Sequence, residues 1–293
     1  MITQAELPIN HRGAVYHLDL KHGELADTVI TVGDPARVKE VSKYFDKVEL
    51  QRSHREFLTH TGILDGHRIS VVSTGIGIPA IDIVMNELDA VVNINLKTRK
   101  INNAKKKLTI IRLGTTGGLL PDCTPGDIVI SRYAIGFDTL TSYYQYKKTT
   151  ELSQMEHELT EHLNDECGAL YLTECCAELA QDFESLGVSG ITATCGGFYG
   201  PQGRQLRIPL RHPQFIDKLA QFKSRNYPVV NLEMETAALY AMSSLLGHRC
   251  ISLSVILANR TKGTFASDIK KCQETLITRS LSLIKDNLAV TSD

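Results

Sequence analysis

The sequence predicts one layered α/β domain around a largely parallel sheet, and three observations carry this prediction. Short apolar runs alternate with helical patterns along the chain, which is the order produced when helices connect parallel strands. Several of these runs end in glycine-containing loops, as strands do where an α/β sheet forms its binding sites. The chain has 293 residues, which is enough to bury a sizeable core.

The predicted strands are short apolar runs. They cover residues 28–32, 69–73, 108–113, 127–131, 188–194 and 250–257. The first run ends at Gly33, and Asp34 can cap a helix that begins with Pro35, because proline is tolerated where no intrahelical N–H bond is needed. The second run leads into a glycine turn, after which Pro79 opens another helix.

The remaining helices are predicted from longer periodic patterns. They cover residues 79–90, 156–181, 213–225, 233–246 and 268–288. Residues 93–107 are polar and rich in lysine, which predicts a solvated surface insertion rather than a binding arm. Because no linker or repeat interrupts the pattern, residues 1–293 are predicted to form a single domain, with 1–15 as an N-terminal extension.

Composition argues against several classes of partner. The formal net charge is -1, so no global field attracts nucleic acid or an acidic membrane surface. The seven cysteines are irregularly spaced and form no CxxC pair, which predicts reduced thiols in the cytoplasm. The N-terminus lacks the apolar centre of a signal peptide, and no run reaches the roughly 18 apolar residues of a membrane span.

Residues 112–118 form a candidate anion site. They place Arg112, two hydroxyl residues (Thr115 and Thr116) and three glycines directly after a predicted strand. Glycine lets backbone N–H groups approach an anion, the arginine offers a bidentate fork, and the threonines offer hydroxyl donors. A tight turn with the arginine paired to a carboxylate explains the same residues, and composition alone does not separate the two interpretations.

Two other segments are cationic. Gly33 and Arg37 combine a flexible turn, a helix N-terminus and an arginine, and a helix N-terminus attracts anions. If both strand ends lie in one sheet, these residues and Arg112 can converge on one phosphate. Residues 53–57 contribute Arg55, for which a surface strand with an ion pair is the alternative.

Residues 198–204 could recognise a flat base. Phe198 can stack on a ring, Gln202 offers an acceptor and donors, and Arg204 offers donors only. Such a set matches the carbonyl–NH–carbonyl edge of uracil. A glycine- and proline-rich turn with incidental polar residues is the alternative.

Two glutamates begin the predicted helix near residue 233. Glu233 and Glu235 are two apart and therefore point in different directions, so only one is expected to face a site, where it could bind two ribose hydroxyls. Complementarity with the helix dipole is the alternative.

Familiar motifs for other chemistry are missing from the sequence. There is no GxGxxG after the first strand and no GxxxxGK[ST], so a dinucleotide site and a P-loop are not expected. His157 and His162 are five residues apart and do not share a helical face, so they do not form a zinc helix. No GxSxG or Cys–His nucleophile pair appears.

Taken together, the motifs resemble the nucleoside phosphorylase-I family, and within it the uridine phosphorylases. The matching blocks follow the family's order and are residues 16–18, 33–37, 53–57, 73–79, 111–117, 198–204, 233–235 and 259–261. The resemblance implies a single three-layer α/β/α domain with a central, largely parallel or mixed twisted sheet. It also implies reversible phosphorolysis of uridine to uracil and ribose 1-phosphate, in pyrimidine salvage.

The resemblance implies a role for each matching position. The implied phosphate ligands are Gly33, Arg37, Arg112 and Thr115, with Arg55 from a neighbouring subunit. The implied nucleoside contacts are His17, again from the neighbour, with Thr116, Gly117, Phe198, Gln202, Arg204, Met234, Glu235, Leu257 and Ala258. The implied catalytic residues are Arg204, Gln202, Glu235 and Arg112. Sharing of sites between subunits implies a homo-oligomer, at least a dimer.

The resemblance implies no cofactor, only inorganic phosphate as co-substrate. The glutamate of the family's structural potassium site is retained as Glu56, but Ala80 stands where many bacterial members have serine, so no metal is expected. Gly196-Gly197 replaces a polar residue and a threonine of bacterial relatives, and residues 93–107 look more like the animal branch.

Purine-cleaving relatives carry an aspartate near Asn259, so asparagine favours a pyrimidine. The alternatives kept open are a purine nucleoside phosphorylase, a hydrolytic nucleosidase of the same fold and a non-catalytic nucleoside-binding protein.

Overall fold

A computed structural model of the chain describes residues 2–164 and 166–290. Its strands are β1 (Thr28–Val32), β2 (Lys47–His54), β3 (Phe57–Leu64), β4 (His67–Ser73), β5 (Ile94–Asn95), β6 (Lys100–Ile101), β7 (Thr109–Gly118), β8 (Ile128–Phe137), β9 (Tyr171–Glu174), β10 (Val188–Cys195), β11 (Lys223–Ser224), β12 (Tyr227–Glu233), β13 (Arg249–Asn259) and β14 (Thr264–Phe265). Its α-helices are α1 (Pro35–Ser42), α2 (Ile78–Asn93), α3 (Thr150–Leu163), α4 (Ala177–Asp182), α5 (Phe215–Gln221), α6 (Thr236–Leu246) and α7 (Ile269–Val290). The predicted α/β class with a central mixed sheet is confirmed.

The chain divides into two compact units, and the boundaries fall inside β7, α6, β13 and α7. The first unit contains the described residues up to Arg112, Met242–Cys250 and the described residues from Leu281 onward; the second contains Leu113–Ala241 and Ile251–Ser280. The single domain over 1–293 stays a prediction. Of the residues in this predicted domain, Met1, Asp165 and residues 291–293 lie outside the described residues.

The first unit is built on parallel pairing of β1 with β4 on one side and with β7 on the other. The hairpin β2–β3 then extends the sheet antiparallel to β4. Every residue of β1 is buried, which explains its continuous apolar run, because strands covered on both faces have no polar side. Asp34 accepts a hydrogen bond from the Ala36 N–H at 2.8 Å and caps α1, with Pro35 as its first residue, so this predicted helix start is confirmed.

In the second unit β10 runs parallel to β8 and to β12, while β9 and β13 pair antiparallel with β8. Helix α3 covers this sheet with Leu152, Met155, Leu159 and Leu163, which are all buried. Their spacing of three and four residues places them on one helical face, so the amphipathic pattern of α3 is explained by this core.

Three sequence-based assignments need correction. The single helix predicted over 156–181 is wrong, because α3 ends at Leu163 and the strand β9 precedes α4; the buried β9 carries apolar residues that also fit a helical period. The strands β2, β3 and β12 were not predicted. The surface insertion 93–107 is largely exposed, as expected, but it contains the hairpin β5–β6.

No helix among the described residues is both long and apolar enough to cross a membrane.

Candidate active site

Two predicted phosphate-binding residues of the first unit lie on neighbouring strands, Gly33 directly after β1 and Arg112 within β7. The parallel register pairs Thr31 of β1 with Arg112 of β7, so Gly33 follows β1 beside the strand that carries the arginine. Arg112 is only 5% exposed. The register therefore brings Gly33 and Arg112 close together on neighbouring strands, as the sequence predicted.

Gly33 is required by a close approach at this edge. A Cβ on Gly33 would lie 3.1 Å from the Arg37 Nη2 and 3.3 Å from the Gly75 carbonyl oxygen. The Gly75 N–H also donates to the Gly33 carbonyl at 3.0 Å. A larger residue at position 33 would therefore require a small shift of the Arg37 guanidinium or of the Gly75 backbone.

The hairpin between β2 and β3 presents Arg55. This residue has a φ of +54°, and it is exposed, with its guanidinium carbon 5.5 Å from the centre of the Tyr16 ring. The neighbouring His54 places its Nδ1 3.1 Å from the His17 carbonyl oxygen. The structure thus brings together Arg55 and His17, the two residues that the resemblance assigns to a neighbouring subunit.

No potassium site is evident near Glu56. The described residues contain no group of three His, Cys, Asp or Glu side chains that could hold a metal ion. Glu56 is exposed, and its carbonyl accepts a hydrogen bond from the Ser73 hydroxyl at 3.0 Å. Potassium is also bound by backbone carbonyls and hydroxyls, which do not belong to such a group of side chains. The expectation that no metal binds therefore stays a prediction.

The glycine-rich segment after Arg112 is part of a strand. This corrects the prediction that the strand ends at residue 113 and that a glycine loop follows it. β7 continues to Gly118, and Gly117 and Gly118 pair antiparallel with Leu232 and Asn231 of β12. A Cβ on Gly118 would lie 3.0 Å from the Ile256 Cδ1. Gly118 is therefore explained by close packing inside the second unit.

The two threonines of this segment differ. The Thr116 hydroxyl is buried, donates to the Leu232 carbonyl at 2.7 Å and accepts from the Asn231 amide at 2.8 Å. It has no proton left for a ligand, so the expected hydroxyl donor at Thr116 is wrong, while its place among the nucleoside contacts stays a prediction. Thr115 is half-buried, and its hydroxyl makes no hydrogen bond within the part of the chain that the structure describes.

The predicted base-reading residues form one cluster after β10. Arg204 donates through Nη1 to the Phe198 carbonyl at 2.7 Å and to the Gln202 Oε1. Gln202 is 2% exposed, and its Nε2 lies 3.5 Å from the Glu233 carbonyl oxygen. The structure therefore brings together the amide and the guanidinium that the sequence proposed as a pair.

Phe198 has a different partner from the one predicted. Its ring is 49% exposed and lies 3.8 Å from the guanidinium carbon of Arg204. This distance is that of a cation–π stack. The ring thus rests on the arginine, and stacking on a base stays a prediction.

Arg260 joins this cluster, and the sequence reading did not single it out. Burial, together with the charge of Arg260, lowers the pKa of Arg204 to about 10. Burial also lowers the pKa of Arg260, and its Nη1 is buried without a hydrogen-bond partner among the described residues. Two partly desolvated cations make this a place where negative charge is favoured. The sequence did contain a signal for Arg260, because this residue directly follows β13 and lies in the matching block 259–261.

Cys195 lies at the same end of β10, but it is not a nucleophile. Burial, and next the charge of Glu233, raises the pKa of this thiol to about 12. The thiolate is the reactive form of cysteine, so the thiol contributes packing only.

The two glutamates at the start of α6 have separate roles. The Glu233 carboxylate is buried and accepts hydrogen bonds from the Thr194 hydroxyl at 2.7 Å, the Glu235 N–H at 3.0 Å and the Thr236 N–H at 3.0 Å. These hydrogen bonds make the Glu233 carboxylate a structural part of the turn. Glu235 is therefore the candidate for binding the sugar. Met234, between them, is half-buried, as are Leu257 and Ala258 at the end of β13.

Asn259 holds a loop rather than a ligand. Its Nδ2 donates to the carbonyls of Leu120 at 3.0 Å and Cys123 at 2.5 Å, and its Oδ1 accepts from the Lys262 N–H at 2.7 Å. Every hydrogen of the amide is used inside the second unit, so the asparagine is explained by structure without reference to the base.

Asn259→Asp is expected to destabilise the fold without giving purine activity. The carboxylate would face two carbonyl oxygens that lose their donors, and an unsatisfied buried group costs about 1–3 kcal/mol. Urea unfolding followed by circular dichroism measures this loss. Asn226→Asp is the control, because Asn226 is exposed. Unchanged stability, or appearance of inosine cleavage, would contradict the loop role.

Comparison with known proteins identifies the family. The phosphorylase superfamily profile matches residues 27–289. The chain belongs to the phosphorylase superfamily. A uridine phosphorylase of Thermococcus kodakarensis is 32% identical, over 90% of this chain and 84% of that protein. A uridine phosphorylase of Escherichia coli is 28% identical, over 85% of this chain and 87% of that protein.

Solved phosphorylase structures agree with this assignment. A Trypanosoma brucei nucleoside phosphorylase described as showing uridine phosphorylase activity superposes with a TM-score of 0.86 at 28% identity, covering 97% of this chain and 99% of that one. A Toxoplasma gondii purine nucleoside phosphorylase has a TM-score of 0.64 at 20% identity, over 95% of this chain and 98% of that one, and shares the fold. The resemblance stated from the sequence motifs is therefore confirmed at the level of the family.

Proposed function

We propose that this phosphorylase is a pentosyltransferase that converts uridine and inorganic phosphate reversibly to uracil and ribose 1-phosphate. The observation that carries the choice of base is the Gln202–Arg204 pair, held in one partly buried cluster with Arg260 nearby. Uracil presents two carbonyls and an N–H on one edge, which such donors and acceptors match. The uridine phosphorylases among its relatives support the same substrate.

The proposed roles follow from the charge that develops in the reaction. The bond from C1′ to the base breaks early and leaves an oxocarbenium-like sugar, and a phosphate oxygen then attacks C1′. Arg204 and Gln202 stabilise the negative charge on the departing uracil through hydrogen bonds that strengthen in the transition state.

The other two parts of the substrate need different groups. Phosphate is held by Gly33, Arg37, Arg112 and Thr115, with Arg55 of a neighbouring subunit. The sugar is held by Glu235 and the Met234 segment, with His17 of that subunit. The remaining nucleoside contacts are Thr116, Gly117, Phe198, Leu257 and Ala258. No cofactor takes part.

Several coarser expectations complete the proposal. The chain is a homo-oligomer, at least a dimer, because two of its proposed site residues serve a neighbouring subunit. All seven cysteines are free, which supports a reducing, cytoplasmic location and a role in pyrimidine salvage. Neither nucleic acid nor a membrane is a partner.

One assay tests the activity. The protein is incubated with uridine, inosine or thymidine, with and without phosphate, and release of the base is followed. Uracil release that requires phosphate is the expected result. Release without phosphate would indicate a nucleosidase, preferential release of hypoxanthine from inosine would indicate a purine phosphorylase, and no release would indicate a binding protein.

A further inference from the structure

The Glu87 side chain of α2 is turned toward the N-terminal segment of the first unit. Its carboxylate oxygens both lie 3.0 Å from the His17 backbone nitrogen, and Oε2 accepts the Leu18 N–H at 2.8 Å. The Oε1 atom is also 2.7 Å from Nδ1 of the His17 ring. Glu87 is only 7% exposed. This buried carboxylate therefore contacts the two adjacent residues His17 and Leu18.

These contacts fix which ring nitrogen of His17 carries hydrogen. An ionised carboxylate only accepts hydrogen bonds, so the Nδ1 atom beside it must be the donor. In the neutral ring, Nε2 is then an acceptor with its lone pair available. Nε2 makes no hydrogen bond within residues 2–164 and 166–290, and 28% of the His17 side chain is exposed.

Two further contacts hold His17, one to its ring and one to its backbone. Tyr16 packs edge-on against it with 5.0 Å between ring centres. His54 at the end of β2 places its Nδ1 3.1 Å from the His17 carbonyl. A surface imidazole with a fixed backbone, a buried carboxylate partner and one unused nitrogen is arranged to contact a ligand rather than to fill a core.

We propose that Glu87 is a positioning residue for the nucleoside: it holds His17 in the Nδ1–H tautomer so that Nε2 accepts a hydrogen bond from a sugar hydroxyl. The inference rests on the proposed function, in which His17 serves the sugar. For metal-binding histidines, loss of a partner that orients the ring through its second nitrogen costs about 10–100-fold, and we expect an effect at the lower end of this range for His17.

A double-mutant cycle separates positioning from general stabilisation. Glu87→Gln is expected to raise the KM for uridine about tenfold while leaving the KM for phosphate unchanged. If Glu87 acts through His17, adding Glu87→Gln to His17→Ala causes no further loss. Losses that multiply in the double variant, or a uridine KM unchanged in Glu87→Gln, would overturn the proposal.

A matched control removes another buried carboxylate of the same unit. Glu24 accepts hydrogen bonds from Arg12 Nη2 at 2.9 Å, from Arg52 Nη2 at 2.6 Å and from the Lys21 N–H at 3.1 Å. Glu24→Gln is expected to leave the uridine KM unchanged. An equal rise in both variants would mean that Glu87 acts only by stabilising the unit.

Nitrogen-15 NMR of the ring tests the tautomer without any activity. Nδ1 of His17 is expected to show the shift of a protonated nitrogen and Nε2 that of an unprotonated one, with a mixture of both in Glu87→Gln. Hydrogen on Nε2 in the unmodified chain would overturn the proposal. A chain that shows the expected tautomer but releases no uracil would instead contradict the proposed function, so the two failures are distinguishable.

Discussion

Arg112→Ala is expected to lower kcat/KM for phosphate by about 10²–10³-fold, because one preorganised donor to a reacting anion contributes on that scale. Arg112 is buried and lies in register with Thr31 of β1, next to the turn that carries Gly33. A guanidinium held there offers two parallel N–H groups to one phosphate. Initial rates over a range of phosphate concentrations, at saturating uridine, measure the effect.

Two further variants make this test specific. Arg112→Lys keeps the charge but loses the planar fork, so an intermediate loss is expected. Arg68→Ala is the control, since Arg68 lies near the start of β4 and donates to the Leu25 and Gly23 carbonyls and to Glu49. Phosphate saturation that is the same in Arg112→Ala as in the unmodified chain would reject the phosphate role.

Arg204→Ala is expected to lower kcat for uridine by about 10²–10³-fold, with a much smaller effect on any purine nucleoside. Arg204 is a partly desolvated cation beside Arg260 and contacts Gln202. Its donors match negative charge that grows on uracil as the bond to C1′ breaks. Single-turnover release of uracil and of hypoxanthine, measured side by side, gives the two losses.

The control for this variant lies three residues further along the chain. Arg207 is exposed, and Arg207→Ala is expected to leave uridine cleavage unchanged. An equal loss for uridine and inosine in Arg204→Ala would show that the arginine does not read the base. The thermal midpoint of each variant confirms that the comparison is made on folded protein.

The strands and caps that carry local signals could be predicted from the sequence. β1 is a continuous apolar run, and the Asp34 cap with Pro35 marks the start of α1. The alternating burial along β2 belongs to a strand with one open face, but Arg52 and His54 on its more buried face are polar and obscure the period. The strand β12 was not predicted, because Glu233 at its end resembles the beginning of a helix.

The candidate site could be predicted as a set of residues, but not in its hydrogen bonding. The sequence proposed that one of Glu233 and Glu235 faces the ligand, and only the three hydrogen bonds to the Glu233 carboxylate assign it to the turn. Likewise, nothing in the sequence shows that the Thr116 hydroxyl donates to Leu232 or that the Asn259 amide is fully occupied. The Thr116 and Asn259 pairings join residues more than a hundred positions apart, where no local pattern reports them.

The internal hydrogen bonds of Arg204 bear on how quickly the product leaves. This arginine donates through Nη1 to Phe198 and Gln202 and rests against the Phe198 ring. Under the proposed function, a neutral uracil competes with these Nη1 contacts, so we expect its net gain on binding to be small. The charged uracil of the transition state gains far more from the same guanidinium. We therefore expect the occupied Nη1 donors of Arg204 to limit inhibition by accumulated uracil.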